Sequence, residues 1–253
     1  MLAKANLAVL LLTRSAAQSA RFAKEASAHL TGVSVIVSPV IEIEHRALFV
    51  RPEEYAGLVF TSENGVDAFA AACDARAHPV WCVGTRTAAA ALSAGFTKVI
   101  SAAQDGGDAE GLLALLNRTR PTPPLLHLRG AHARGDLAPR LTALGLPCDA
   151  AILYDQRACL LSIQARDALN GAAPVLIPLF SPRSAALCAE SAAQAHAPLY
   201  PVAISAAAAQ AWLALRPEVP IVAQRPDSAA MLDTLSGTFE AIAGSEADGV
   251  KSN

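Results

Sequence analysis

Short apolar runs alternate with helix-period segments from one end of this chain to the other, and no other feature narrows its fold as far. Strand-like runs fall near residues 7–12, 33–38, 57–61, 79–83, 97–100, 124–129, 174–180, 198–203 and 219–222. Helical periods fall near 16–30, 64–76, 86–94, 108–117, 134–144, 162–170, 183–193, 205–215 and 227–240. Strands joined by helix-length crossovers run parallel, because a tight turn cannot return the chain to the starting end of a sheet. So many strand–helix units overfill one open sheet of a 253-residue chain. The pattern predicts an α/β protein with two similar doubly wound parallel-sheet domains.

An internal echo supports two copies of one unit. Phe60-Thr61-Ser62 before a helix is matched by Phe180-Ser181-Pro182 before another. Cys82-Val83-Gly84-Thr85 is matched by Val202-Ala203-Ile204-Ser205, and Thr13-Arg14 by Leu128-Arg129, at offsets near 120 residues. Residues 39–44 and 150–156 are extended in pattern and stand outside the alternation. Read as crossings, they give a discontinuous first domain (1–38 plus 158–253), an inserted second domain (46–149) and linkers at 39–45 and 150–157. A double linker restrains a cleft between two lobes yet lets it open and close. The small, polar stretch 244–253 is expected to fray.

Composition removes several function classes. With 53% hydrophobic and 17% charged residues the chain builds a core rather than staying disordered. A net charge of −2 gives no bulk attraction to nucleic acid or membrane. Five cysteines, odd in number and without a CxxC pair, make neither a disulfide framework nor a zinc site. No signal layout precedes the first apolar run, and 199–215 is broken by Pro201, Ser205 and Gln210, so a cytoplasmic protein is expected. No repeated apolar surface stripe stands out, so a monomer is expected.

Thr13-Arg14-Ser15 stands where a dinucleotide fold carries GxGxxG, and GAHARG at 130–135 lacks the Lys-Ser/Thr of a phosphate loop. No cofactor is expected. His127 and His132 have no third ligand nearby, so no metal is expected. Ser62, Ser181 and Ser184 stand outside GxSxG. What recurs is a strand, a small polar turn and a helix, and such turns aim backbone N–H groups and a positive helix end at one place. A carboxylate fits there. The candidates are Ser62 and Asn64, Thr85 and Thr87, Ser181 and Arg183, and Ser205. Capping is the plain structural reading of the serines, and it is compatible with ligand contact. Arg14, Arg129, Arg134 and Arg183 fall at or just after strand ends, on the rim where α/β proteins bind ligands, though each alone also reads as surface arginine. Tyr154 lies in a linker-like segment, either packed there or projecting its phenol into the cleft.

LLTR at 11–14 with Gln18, FTSENGV at 60–66, VGTRTAAAALSAGF at 83–96, EGLLALL at 110–116, LRGAHARGDLAPRLTALG at 128–145, the Tyr154 segment and FSPRSAA at 180–186 together resemble the uroporphyrinogen-III synthase family. The order and spacing of these motifs, over nearly the whole chain, carry the resemblance. It implies two α/β domains joined by a two-stranded ladder, with the active site in the cleft between them. It implies a lyase without cofactor or metal that dehydrates and cyclises hydroxymethylbilane, a linear tetrapyrrole with eight carboxylates. Ring D is inverted to give uroporphyrinogen III, and Tyr154 assists hydroxide departure. A direct hand-over of the unstable substrate from the preceding pathway enzyme is compatible with it. One turn departs from the family's Gly-Pro-Thr-Thr: here it is Ser205-Ala206-Ala207-Ala208, which puts a side-chain role there in doubt and leaves a backbone role intact. The competing class is a non-catalytic two-lobed binder of a small polyanion, or a degenerate family member.

Overall fold

The computed structural model describes residues 8–132 and 135–250. Cα packing divides the chain into two compact units, Met1–Glu42 with Ala158–Asn253, and Ile43–Arg157. The chain passes between them twice.

The first unit holds β1 (Ala8–Leu12), α1 (Ala16–Ala26) and β2 (Val33–Val37), and later α6 (Ile163–Asn170), β9 (Val175–Leu179), α7 (Pro182–Ser191), β10 (Leu199–Ala203), α8 (Ala206–Leu213), β11 (Ile221–Val222) and α9 (Ser228–Val250), joined by β3 (Ile41–His45) and β8 (Cys148–Ala158) to the second. Its strands form one parallel sheet in the order β11-β10-β9-β1-β2. Successive β1 residues point to opposite faces. Leu10 and Leu12 pack with Phe22 of α1 and Met231 and Leu235 of α9. Leu11 packs on the other face with Ala165 of α6, Cys188 of α7 and Trp212 of α8. A strand buried on both faces needs an unbroken apolar run, which is what AVLLL supplies.

The second unit holds β4 (Gly57–Phe60), α2 (Glu63–Ala72), β5 (Val80–Cys82), α3 (Thr85–Ser93), β6 (Val99–Ser101), α4 (Ala109–Thr119), β7 (Leu125–Gly130) and α5 (Leu137–Ala143). Its sheet runs β3-β8-β7-β4-β5-β6. Leu58 and Phe60 face Val66, Phe69 and Phe96 across one layer, while Val59 faces Leu112, Leu116 and Leu141 across the other. The aromatic rings of Phe60, Phe69 and Phe96 meet at centroid distances of 5.9–6.0 Å. The α/β, doubly wound character expected from the alternation is thus present in both sheets. No helix among the described residues is long and apolar enough to cross a membrane.

Residues 39–45 and 150–157, expected to be extended and to join the units as a two-stranded ladder, supply β3 and most of β8. The eleven-residue β8 pairs in parallel with β7 from Leu125↔Cys148 onward. Against β3 the pairing is antiparallel, since Cys159 N–H donates to Val40 O and Arg46 N–H to Leu153 O, one number rising as the other falls. Residues 244–250 of the small polar stretch are helical and close α9, which ends at Val250. Its alanines and absence of proline sustain the helix despite Gly237 and Gly244.

Candidate functional site

In an open parallel sheet, ligands bind outside the carboxyl ends of the strands where the winding reverses. In the first unit the chain winds β1 to β2 one way and β9 to β10 to β11 the other, so the reversal lies between β1 and β9. In the second, β4 to β5 to β6 runs one way and β7 to β8 the other, so it lies between β4 and β7. The expected site residues follow these strand ends: Arg14 after β1, Ser181 after β9, Ser62 after β4 and Arg129 at the end of β7. Strand order cannot be read from periodicity, so the reversal points themselves were not anticipated.

At the reversal in the second unit, Ser62 is the N-cap of α2 with extended backbone. Its Oγ accepts the Gly65 N–H at 3.0 Å and lies 2.8 Å from the Tyr154 hydroxyl. A serine hydroxyl has one proton and two lone pairs. With the Gly65 N–H on one lone pair, the Ser62 proton is available to the phenol oxygen, leaving the phenol's own proton free for a third partner. Tyr154 is only 6% exposed and its ring belongs to the core with Phe60 and Leu128. Of the two readings of Tyr154, its ring takes the packed one, within the sheet strand β8. Burial raises its pKa, while the Ser62 hydroxyl and the positive charge of Arg129 pull the other way. The phenol stays protonated at neutral pH, with two groups placed to stabilise its anion.

Next to this pair, Thr61 Oγ1 lies 3.1 Å from His127 Nε2. His127 is 3% exposed, and burial, helped by the Arg129 charge, pushes its pKa down to about 4. It is a neutral buried imidazole. His132 lies 3.2 Å from Asp155, which also accepts from Arg46 at 2.6 Å, so the two histidines share no ligand set. Asn64 is half-buried in the first turn of α2. Glu63 in that turn sits 3.6 Å from Arg86 in the first turn of α3, an ion pair across two helix starts that sequence reading missed. Residues so far apart in the chain are seen as neighbours only once the β4–β5 pairing is known.

The N-cap of α3 is Gly84 without a side-chain bond, so the turn is backbone-built and Thr85 is already helical. Thr85 is exposed, whereas Thr87 is buried at 4% exposure. Arg129 spends Nε on Gly130 O (3.1 Å) and Nη2 on Ala131 O (3.4 Å), bracing the turn it closes. Arg134 lies outside the described residues.

In the first unit the Arg14 guanidinium stacks 4.3 Å over the Phe180 ring while its Nε donates to Gln18 at 3.0 Å. This cation–π contact across the β1–β9 reversal holds a fork in fixed orientation. Ser181 and Ser205 cap α7 and α8 with nearly the same extended backbone as Ser62, accepting from Ser184 N (3.2 Å) and Ala208 N (3.3 Å). Arg183 lies in the first turn of α7, half-buried. Ser205 thus retains a capping hydroxyl although Ala206–Ala208 supply none. In each unit two helix starts follow neighbouring strands, an arrangement rich in backbone donors and suited to carboxylates.

The family model described as Uroporphyrinogen-III synthase HemD matches residues 22–233. No curated protein matches the chain. Among solved structures, the uroporphyrinogen-III synthetase from Helicobacter pylori is similar over 90% of this chain and 97% of its own, with 15% identity and a TM-score of 0.64. A mutant uroporphyrinogen III synthase from the extremely thermophilic bacterium Thermus thermophilus is similar over 92% of this chain and 100% of its own, with 16% identity and a TM-score of 0.52. At such identities the structural likeness speaks for the fold, and the family match speaks for the lineage.

Proposed function

The chain belongs to the uroporphyrinogen-III synthase family, a cyclising, lyase-type enzyme family of tetrapyrrole synthesis, and we propose that it dehydrates and closes hydroxymethylbilane to uroporphyrinogen III with Tyr154 as the proton donor. The observation that carries the residue assignment is the buried Tyr154 hydroxyl held by Ser62 at the start of α2. The phenol proton passes to the terminal hydroxyl of the bilane, the C–O bond breaks and water leaves, giving an azafulvene cation. The tyrosinate left behind accepts from Ser62 and faces the charge of Arg129. Ring D then attacks through its substituted carbon. The spiro intermediate fragments and recloses with ring D inverted, and the proton lost on rearomatisation returns to Tyr154. Substrate and product differ by one water, so no oxidant or cofactor is required.

Uncatalysed closure gives the type I isomer, so the enzyme has a problem of geometry. A 100-fold bias between closures needs only about 2.7 kcal/mol of differential stabilisation. Backbone N–H groups at the starts of α2, α3, α7 and α8 hold the carboxylates, each contact worth roughly 1.5–3 kcal/mol before desolvation. Arg14 and Arg183 add charge in the first unit and Arg129 and Arg134 in the second. The units act as the two domains of a cytoplasmic, monomeric, cofactor-free hydro-lyase. The test is consumption of freshly made hydroxymethylbilane. Loss faster than spontaneous closure, and slowed by Tyr154→Phe, is the expected result; loss at the spontaneous rate returns the chain to the anion-binder reading.

A further inference from the structure

We infer that Gly130 is a positioning residue for Tyr154, an inference that rests on the proton-donor reading. β7 and β8 run in even register from Leu125↔Cys148 to Arg129↔Ile152, and then Gly130 pairs with Tyr154. Leu153 is therefore an extra residue, a bulge one position before the tyrosine. In an unbroken strand Tyr154 shares a face with Ile152, which is 42% exposed. With the bulge, Leu153 and Tyr154 are consecutive yet both belong to one buried core. Bulges beside reactive groups turn side chains in this way.

The turned ring needs room, and Gly130 supplies it. A Cβ built there would lie 2.5 Å from Tyr154 Cζ, 2.6 Å from Cε2 and 2.9 Å from the hydroxyl oxygen. Gly130 is not among the positive-φ glycines, so close approach, not backbone conformation, requires it. A single methyl at this position displaces the phenol from Ser62 Oγ, 2.8 Å away. Ser62 is in turn fixed by the Gly65 N–H. The hydroxyl is thus aimed from two sides, by a missing side chain on β7 and by the cap of α2.

The test compares Gly130→Ala, Tyr154→Phe and the double variant by kinetics and by 13C NMR of protein labelled at tyrosine Cζ. The chain has three tyrosines, so the Tyr154 signal is the one Tyr154→Phe removes. Gly130→Ala moves that signal and leaves those of Tyr55 and Tyr200 in place. It lowers kcat by about as much as Tyr154→Phe with KM within about threefold, and adds no further loss in the Tyr154→Phe background. An unmoved Tyr154 signal overturns the inference whatever the rate. So does a moved signal with undiminished kcat when Tyr154→Phe is slow. If Tyr154→Phe turns over normally, the proton-donor reading falls by itself, and the NMR signal alone decides whether Gly130 places the ring. Should Gly130→Ala fail to fold, Gly130→Ala/Tyr154→Ala folds if the ring contact is the cause; a pair that also fails to fold overturns the inference.

Discussion

A phenol donates a proton in a neutral solution only if it is still protonated when the substrate arrives and its anion is tolerated afterwards. Burial secures the first for Tyr154, and Ser62 and Arg129 the second. Removing the hydroxyl as Tyr154→Phe is expected to lower kcat by about 10²–10⁴-fold. Stability should change by only about 1 kcal/mol, the net worth of one hydrogen bond; an unchanged rate, measured with a melting curve as control, removes Tyr154 from catalysis. His127 makes a second prediction. Its pKa is about 4 folded against 6.5 unperturbed, so the unfolded chain binds the proton more readily. The stability of the neutral form is fully present above pH 6.5 and is lost as pH falls towards 4, by about 3 kcal/mol. Melting temperatures should fall across that window, and His127→Gln should flatten the fall; an equal slope in the variant refutes the assignment. The tyrosine was legible in the sequence through the family resemblance, but its surroundings were not. Gly130, Ser62 and Tyr154 meet through pairings of β4, β7 and β8, and no local period encodes a bulge at Leu153. His127, weighed from sequence as half of a metal pair, proves to be a buried partner of Thr61, on the side of β7 opposite Leu126 and Leu128.

Helix starts are where local chemistry and function coincide. Ser62, Ser181 and Ser205 each close a strand and cap the following helix, a signature visible in the sequence because capping is decided within four residues. Ser205→Ala should cost about 1 kcal/mol in chemical denaturation, the usual loss for a capping serine. Turnover should be reduced but not abolished, because the backbone N–H groups of α8 remain; complete loss would contradict a backbone-held substrate. The start of α3 was less legible. The sequence offered hydroxyls at Thr85 and Thr87, whereas the cap is Gly84 and Thr87 is buried. A helix boundary shifts by one residue easily, and each step rotates the side chain by about 100°. The strands β3 and β8 are extended in sequence pattern, but their pairing joins residues about a hundred apart in the chain, which no local pattern encodes.

Two sheets built mainly of parallel strands, each reversing its winding beside a serine-capped helix, repeat one plan in one chain. The echo at an offset near 120 residues was legible because each unit uses the same strand–turn–helix grammar. The strand orders, and therefore the reversal points that single out β1 with β9 and β4 with β7, required the structure. At this scale the central claim is that the donors of both units hold an octacarboxylate so that ring D closes inverted. The isomer composition of the uroporphyrinogen formed from freshly made hydroxymethylbilane tests it most directly. The account predicts a large excess of the type III isomer over the type I product of spontaneous closure; type I alone, from folded protein at saturating concentration, would contradict it.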